Sequence, residues 1–536
     1  MHSYFSHRSP GSRAALCAAP PCRSVGVIVI VCAIAMIGTC KRSQAATIDA
    51  WNVHSGGSWN IGANWSTGSI PTIAEDATIG PIATSITSPA SIALDSLQTA
   101  YGLTLDPGPG KSIRLSTNAD GKLALLSSDS APDGISKFFT INTASGIDNQ
   151  INVPITFGGA GKGTFTATIN SFDPTFAIKA GIVESVSSWG VKISGNNQGV
   201  VSYATIPSTY TGDTTIAQGG ILRLDLNNAI PNGQSKGNVV LEGNGQLQFL
   251  NATAQTINGL SSTSSNAVVT NIPGNNSVTL TVGNANAGGT FAGSINNPNG
   301  TGLLNLVKTG SGIQNLIGAN SYRGTTTVSS GTLLIDGTHN GAGNYSIGST
   351  GTLGGTGTIN LAGTNSVTVS TGSLAPGDSA PGVLNINGTL NMSSIGTLRA
   401  ELGGAFPGNG SSFYDQVNMI SPTAAINANF AHVAVSLVNG FRPRPTDVFY
   451  ILTRADSAAF GGPQAFDAFP EGATINLGSG FTGKVTYKAN WTGSQATSAL
   501  TGGNDMAIFI VAPEPSSATL LGLGMLALFS FGRRQG

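Results

Sequence analysis

The chain has 536 residues, of which 74 are glycine, 9% are charged and 40% are hydrophobic. This composition, rich also in threonine, serine and asparagine, disfavours helices and predicts an all-β protein. Basic and acidic residues number 24 each, so the formal net charge is zero. Because the sequence has no basic stripe that could neutralise phosphates, nucleic acid is not expected as a partner.

The first 45 residues predict a secretory signal peptide. A basic leader precedes an apolar run of thirteen residues from Val25 to Ile37, and a small-x-small cleavage site ends at Ala45, just before Ala46. An uncleaved anchor is an alternative, but the apolar run is short for a membrane span. A lipoprotein signal ending at Cys40 is another, but Thr39 just before the cysteine departs from that pattern. A processed chain would contain no disulfide and no thiolate metal site. The reason is that all the cysteines lie in this segment, namely Cys17, Cys22, Cys32 and Cys40.

Residues 46–130 are predicted to form a β-rich N-terminal cap. Trp51, Trp59 and Trp65 lie close together in this region. The first rung of a stacked fold needs bulky side chains to cover its apolar end, which favours burial of these rings. The alternative is that Trp59 and Trp65 form an aromatic platform for a carbohydrate ligand.

Residues 131–400 are predicted to form a parallel β-helix, or β-solenoid, because short strand patterns recur there. Asn320–Val328 and Gly331–Ile335 combine alternating apolar runs with glycines suited to tight corners. Ser208–Ile216 and Gly220–Leu224 are a second copy. A unit this short cannot bury its apolar face alone, so it requires copies stacked above and below it.

The spacing of a looser Gly-x-Leu/Ile pattern predicts the size of one turn. The step from Gly220 to Gly245 is 25 residues, and the step from Gly331 to Gly351 is 20. Both lengths lie in the range of solenoid repeats.

A period of two along each strand predicts which side chains face the core. Leu222, Leu333 and Ile335 are expected to point inward. Arg223 and Leu334 are expected to point outward, so that a charge at position 334 would cost little stability.

The repeat copies, together with Leu306–Gly310, closely resemble the autotransporter-associated β-strand repeat. This resemblance implies a right-handed parallel β-helix on an exported protein, with no shared catalytic residues. Residues 401–511 are predicted to form a C-terminal β region, in which Tyr414–Gln416 and Gly440–Thr453 resemble the segment that follows such repeats in bacterial surface proteins. A long C-terminal run of amphipathic strands is missing, so the chain is not expected to be an autotransporter itself.

Residues 512–536 resemble a PEP-CTERM sorting signal. Pro513, Glu514 and Pro515 precede an apolar stretch from Ala518 to Phe531, which is followed by Arg533 and Arg534. The resemblance implies that this transmembrane segment is held in the inner membrane during transit, with the arginines on the cytoplasmic side. It also implies that an exosortase-like enzyme cuts near the Pro-Glu-Pro motif. A plain C-terminal anchor is the alternative.

Few residues suggest catalysis. Gly377-Asp378-Ser379 is similar to the nucleophile block of some serine hydrolases, but it lies in a turn-forming stretch and no histidine has a triad spacing. No metal-ligand spacing or cofactor motif stands out, so no metal and no cofactor are expected. The aspartates that could serve a polysaccharide lyase or hydrolase are scattered along the sequence: Asp213, Asp225, Asp336, Asp378 and Asp415.

The sequence therefore predicts a non-enzymatic structural protein of the cell surface or extracellular matrix of a Gram-negative-type bacterium. An adhesin or polysaccharide-binding β-helix is the alternative, with an extracellular polysaccharide as partner. Retention on a polysaccharide column that is lost on Trp59→Ala would favour the alternative.

Overall fold

The computed structural model describes residues 47–53, 56–72, 75–79, 90–100, 102–106, 113–116, 122–126, 133–141, 150–158, 162–169, 177–179, 181–184, 189–195, 199–272, 276–297, 301–423, 425–456 and 466–511. All of them belong to the compact unit that begins at Ala46. The predicted signal peptide and its cleavage site at Ala45 and Ala46 lie outside these residues. The predicted sorting signal also lies outside them, with Pro513, Glu514, Pro515, Arg533 and Arg534.

Within these ranges the fold is all-β. The described helical turns are single 3-10 segments at Gly62–Asn64, Asn284–Asn286 and Phe466–Ala468. None of the helices in the described ranges is long and apolar enough to cross a membrane.

The strands of the N-terminal part are short and follow one another closely. They are β1 (Thr47–Ala50), β2 (Gly57–Ser58), β3 (Glu75–Ile79), β4 (Ala90–Ala93), β5 (Leu97–Ala100), β6 (Gly102–Leu105), β7 (Ile113–Ser116), β8 (Lys122–Leu126), β9 (Asp133–Ile141), β10 (Gln150–Ile151), β11 (Ile155–Gly158), β12 (Lys162–Ile169), β13 (Ala177–Ile178), β14 (Ile182–Glu184), β15 (Trp189–Gly195) and β16 (Gly199–Tyr203).

The central part continues the same pattern of short strands. They are β17 (Thr214–Ile216), β18 (Gly220–Leu224), β19 (Val239–Leu241), β20 (Gln246–Phe249), β21 (Ala254–Thr256), β22 (Leu260–Ser261), β23 (Val268–Asn271), β24 (Val278–Val282), β25 (Gly289–Phe291), β26 (Ser294–Asn296), β27 (Leu304–Lys308), β28 (Ile313–Leu316), β29 (Ala319–Asn320), β30 (Thr326–Ile335), β31 (Thr338–Ala342) and β32 (Tyr345–Gly355).

The remaining strands complete the described chain. They are β33 (Thr358–Leu361), β34 (Ser366–Val369), β35 (Ser373–Pro376), β36 (Val383–Asn387), β37 (Thr389–Met392), β38 (Thr397–Leu402), β39 (Gln416–Met419), β40 (Ile426–Asn427), β41 (His432–Leu437), β42 (Val448–Arg454), β43 (Thr474–Gly478), β44 (Phe481–Ala489) and β45 (Asp505–Phe509).

These strands form long stacks of parallel neighbours. One sheet runs β1-β3-β6-β9-β12-β15-β17-β19-β22 and a second runs β2-β4-β7-β10-β13-β16-β18-β20-β23-β26. A third sheet follows β21-β24-β27-β30-β32-β34-β37-β40, with a branch β28-β30-β32-β35-β38-β41. Each strand pairs with a strand about one repeat away in sequence, an arrangement consistent with a β-solenoid.

The predicted steps between repeats agree with the observed register. Ile221 pairs with Gln246, so β18 and β20 are offset as the 25-residue step requires. Gly331 pairs directly with Gly351 in neighbouring strands β30 and β32. The Gly-x-Leu pattern therefore marks equivalent positions in successive rungs.

The predicted inward residues form part of one continuous core. Leu222, Leu224, Leu333 and Ile335 have no exposed surface. Arg223 lies between two of these buried leucines, is half-buried, and donates a hydrogen bond from Nη2 to the Gln248 side chain in the next rung at 3.2 Å. Alternation along the strand is thus confirmed at this position.

Asparagine and aspartate side chains fasten the corners between rungs. The side-chain oxygen of Asn305 accepts a hydrogen bond from the backbone N–H of Thr325 at 2.9 Å. Asp213 accepts one from the N–H of Asn238 at 2.7 Å. These bonds satisfy backbone donors at places where the strand ladder is interrupted.

Lys308, part of the repeat segment, is buried at another corner. Its Nζ donates to the carbonyl oxygens of Thr309, Gly310 and Ser330 at 2.7, 2.9 and 3.2 Å. Burial lowers the pKa of Lys308 to about 8. The ammonium group provides hydrogen bonds that the three carbonyl oxygens would otherwise take from water, so this lysine has a structural role.

Parallel pairing extends beyond residues 131–400, which corrects the predicted limits of the stack. It begins with β1 and β3 and continues through β39 and β42. Among the named strands of the described ranges, antiparallel pairing occurs in the order β42-β45-β44-β43, and isolated antiparallel bridges such as Trp51 with Trp65 occur elsewhere. The Gly-x-Leu signature is present at Gly121–Leu123 but absent from other outer rungs, such as β3, where Ala77 and Ile79 fill the inward positions.

Candidate binding groove

Outward-facing side chains of the branch β28-β30-β32-β35-β38-β41 line a groove of about 540 Å³. Thr332, Thr352, Ser373 and Thr397 stand in register on successive strands of this branch. Each precedes a buried leucine, so alternation places the four hydroxyl groups on the outer side of the sheet. We call this row the hydroxyl column.

Small residues next to the hydroxyl column make the surface concave. A Cβ atom added at Gly354 would lie 2.4 Å from the carbonyl oxygen of Ala375 and 3.0 Å from Cδ2 of Leu334. The absence of a side chain at Gly354 therefore leaves room for Leu334 to lie across the neighbouring strand.

The expectation that Leu334 is a tolerant, solvent-facing position is wrong. Its register is outward, opposite to Leu333, but only 4% of its surface is exposed. Leu334 lies in the groove, beside the chain segment Pro376–Ala380, which also lines it. Period-two alternation predicts which side of the sheet a side chain faces. It does not predict whether other residues cover that side.

The segment Gly377–Ser379 forms a turn beside the groove, as its composition predicts. Gly377 and Gly355 exchange two backbone hydrogen bonds of 2.9 Å each. Gly377 has a φ of 90° and Ser379 a φ of 56°, both in the left-handed region. A Cβ at position 377 would lie 2.1 Å from the Ala380 carbonyl oxygen, so the turn requires glycine there.

Four charged residues line the groove, and three of them are acidic. Asp378 comes from the turn, Arg399 and Glu401 come from β38, and Asp415 comes from the segment before β39. Arg399 donates from Nε to the hydroxyl of Ser373 at 3.1 Å. Two of the aspartates that are scattered in the sequence, Asp378 and Asp415, thus meet in one site.

Asp415 is buried and is held by the backbone. Its Oδ1 accepts from the N–H of Gly382 at 2.7 Å, and its Oδ2 accepts from the N–H of Glu401 at 2.8 Å. Burial raises the pKa of Asp415 to about 8, although both N–H donors favour the ionised form. Its main contribution is to tie two segments of the groove wall together.

The other aspartates differ in their surroundings. Burial, and then the negative charge of Asp336, raise the pKa of Asp378. Asp336 itself accepts from the N–H of Thr356 at 2.8 Å. Asp225 accepts from Asn251 at 2.7 Å. Asp225 and Asp213 are not among the residues that line the groove.

The groove does not assemble a serine-hydrolase triad from the described residues. Ser379 lines it, but neither His339 nor His432 does. His339 is buried in the core, and Nδ1 of His432 contacts the carboxylate of Asp467. His54 lies outside the described residues. No group of three metal-ligating side chains occurs in the described ranges either.

Trp59 and Trp65 form a buried cluster with Trp51. Their exposed fractions are 0% and 1%. Trp65 packs edge-on against both neighbours, with ring centroids 4.7 Å from Trp59 and 5.0 Å from Trp51. Its indole Nε1 donates to the carbonyl of Trp59 at 3.0 Å. These two rings present no open face to a sugar, which corrects the platform interpretation.

The groove has a sequence signal that becomes visible only when several rungs are aligned. Four rungs carry the same pattern, glycine, then threonine or serine, then leucine, then a variable residue. The variable residues in order are Leu334, Gly354, Ala375 and Arg399. Aligning these rungs by register would have revealed a row of hydroxyl groups next to small residues.

Comparison with known families finds the passenger-associated-transport-repeat, PATR, at residues 205–224 and 306–335. These are the two repeat copies recognised in the sequence, and the second includes part of the groove. Repeats of this kind suggest an autotransporter-like passenger and are consistent with an exported surface protein of Gram-negative bacteria. A search of curated proteins finds no match to the chain.

Proposed function

We propose that the chain is a non-enzymatic structural protein of the cell surface or extracellular matrix, exported and built as a stiff right-handed parallel β-helix. The observation that carries this proposal is the parallel stacking from β1 to β42 in a chain with two passenger-type repeats. Right-handed crossovers are nearly universal between parallel strands of one sheet, which supports the handedness.

Side-chain hydrogen bonds between rungs support a mechanical role. On the outer face, Asn360 donates to Asn340 at 2.8 Å and Asn387 donates to Asn360 at 3.3 Å. Stacked asparagine ladders of this kind reinforce the backbone ladder between identical positions. A scaffold joined at its core, corners and outer face resists bending better than one joined by its core alone.

The chemistry of the groove supports a role without catalysis. Asp415 is committed to two backbone N–H groups, and Ser379 has neither His339 nor His432 beside it. A nucleophile needs an adjacent base within hydrogen-bond reach. A hydrolase function would require a further group to supply that base.

Both ends of the sequence support processing during export. The signal peptide would be removed at Ala45 and Ala46. The segment after Pro513-Glu514-Pro515 would pass through the inner membrane transiently and be removed by an exosortase-like enzyme. Arg533 and Arg534 would hold the cytoplasmic side of that segment.

The intact mass of the extracellular protein tests this proposal. In a bacterium that carries an exosortase-like system, the secreted form should begin near Ala46 and lack Arg533 and Arg534. Glu514→Ala should leave uncut protein in the membrane fraction. The double substitution Arg442→Ala and Arg444→Ala, at two exposed arginines of the folded body, is the matched control and should be processed normally. Finding the Arg533-Arg534 tail on extracellular protein would contradict the proposal.

A further inference from the structure

We propose that the groove of the branch β28-β30-β32-β35-β38-β41 is a binding site for an amine-bearing sugar chain, such as a de-acetylated amino-sugar polymer. This inference rests on the proposed surface location, which would expose the groove to extracellular polymers. It adds a specific ligand class to a protein whose role is otherwise structural.

The hydroxyl column favours a polymer with a regular polar repeat. Thr332, Thr352, Ser373 and Thr397 stand on neighbouring strands, which are about 4.8 Å apart in a sheet. The six strands of the branch therefore give the groove a length of about 24 Å. Thr332, Thr352 and Thr397 line the groove, whereas Ser373 is buried and bonded to Arg399. A chain of sugar units laid along the stack would therefore meet hydroxyl groups at multiples of the strand spacing.

The same geometry disfavours a peptide strand as the occupant. Peptides that add to a sheet bind to an edge, where backbone N–H and C=O groups are free. The floor of the groove is the face of a sheet, and its backbone groups are used in the parallel ladders of β30, β32, β35 and β38. Binding here must use side chains, which suits a hydroxyl-rich ligand.

The charged lining favours an amine over an acid on that ligand. Asp378 and Glu401 line the groove together with a single guanidinium, that of Arg399, whereas Asp415 is buried and bonded to two backbone N–H groups. Glu401 is half-buried, so an ammonium group beside it would form a charge-assisted hydrogen bond in a partly desolvated site. Arg399, held to Ser373, remains a donor for sugar hydroxyl oxygens. An acidic polysaccharide would meet more negative than positive charge.

Apolar surface completes the site. Ile313, which is 52% exposed, and the exposed Ala434 line the groove beside the polar groups, whereas Leu334 and Pro376 are buried and add little surface. Sugar rings carry C–H faces that pack on such surfaces while their hydroxyl groups bind at the rim. The groove therefore offers both kinds of contact that a sugar ring requires.

Calorimetric titration of the purified full chain tests the assignment, with four probes of equal length. They are the hexamer of glucosamine, cellohexaose as the neutral sugar, hexagalacturonate as the acidic sugar, and hexalysine as a cation without sugar. The glucosamine hexamer should bind at least tenfold more tightly than any of the other three.

Substitutions locate the binding. Glu401→Gln removes the carboxylate, and Thr352→Lys adds a positive charge and fills the groove. Each should weaken binding of the glucosamine hexamer at least tenfold. Thr327→Lys is the matched control, because Thr327 faces outward on β30 but does not line the groove. It should leave affinity unchanged, and thermal melting of each variant verifies that it is folded.

Three results would overturn the assignment. They are no binding of the glucosamine hexamer, equal binding of hexalysine, which would indicate charge attraction alone, and unchanged affinity in the folded Thr352→Lys variant. None of these results bears on export or on processing at the chain ends, which the mass measurement tests separately. The two proposals can therefore fail independently.

Discussion

The hydroxyl group of Tyr322 lies 2.7 Å from the hydroxyl of Thr326 inside the core. Tyr210 and Thr214 repeat this contact at the same distance. Tyr322→Phe would leave Thr326 buried with one partner fewer, at a cost of about 1 to 3 kcal/mol in the free energy of unfolding. Urea titration of Tyr322→Phe, Thr326→Val and the double variant measures the coupling. Strictly additive effects would contradict a direct interaction.

Three substitutions on β30 test the core register and the cover over its outer face. Leu333→Asp places a charge among fully buried neighbours and should destabilise by about 3 kcal/mol or more. Leu334→Asp should also destabilise, by about 1 to 3 kcal/mol, because this side chain is buried but borders a groove with polar walls. Thr327→Asp, the outward control, should cost about 0.5 kcal/mol or less.

Hydrogen exchange on the Leu333→Asp variant gives a second readout. In a stack, each rung contacts its neighbours, so protection should be lost first in the strands beside β30. The Trp51 to Leu123 region should keep its protection. Uniform loss along the whole described chain would show that the rungs do not behave as nearest-neighbour units.

His339 should make stability depend on pH. Its Nε2–H donates to the carbonyl of Tyr322 at 2.8 Å, and its Nδ1 accepts from the hydroxyl of Tyr345 at 2.5 Å. Burial lowers the pKa of His339 to about 4 from an ordinary 6.5. The stabilisation is complete above pH 6.5 and is lost as the pH falls to about 4, because the unfolded chain takes up the proton first.

The size of this effect follows from the shift. A change of this extent corresponds to about 3 kcal/mol across the window. Urea midpoints of the native chain and of His339→Gln, compared between pH 7 and 4.5, isolate it. The variant should show a flatter profile, since it lacks the titrating ring. Parallel profiles for the two proteins would assign the pH dependence to other groups.

Reductant should leave the melting of the mature chain unchanged. Every cysteine precedes residue 46 in the sequence, so a chain cut at Ala46 carries no thiol. The unprocessed chain, which retains the cysteines, is the comparison. A fall in the melting temperature of the mature chain with dithiothreitol would mean that the cut occurs before Cys40.

The strand class, the repeat copies and their step lengths were predictable because each depends on local pattern. Glycine at corners and alternation in strands can be read directly from the sequence, as at Gly331 and Leu333. The parallel rungs before residue 131 and after residue 400 have a less regular repeat pattern in the sequence. Their inward positions hold varied side chains, and loops of different length separate their strands.

The groove could not be predicted in the same way, because it depends on residues from different rungs. Asp378 and Asp415 are far apart in sequence. They line the same groove because β35 pairs with β38 and because Asp415 accepts a hydrogen bond from the N–H of Glu401 on β38. The burial of Leu334 likewise depends on Gly354, a residue in the next strand. Alternation within one strand contains no information about a neighbour that lacks a side chain.

The position of β45 sets a limit on how far the chain can be shortened. This last described strand lies between β42 and β44 and pairs with both. Cutting before Asp505 would remove the middle strand of the antiparallel end and expose two edges capable of joining other chains. Cutting after Val511, which is 47% exposed, removes none of the described strand pairs. A protease acting near Pro513 would therefore shorten the chain and still leave β45 paired on both sides.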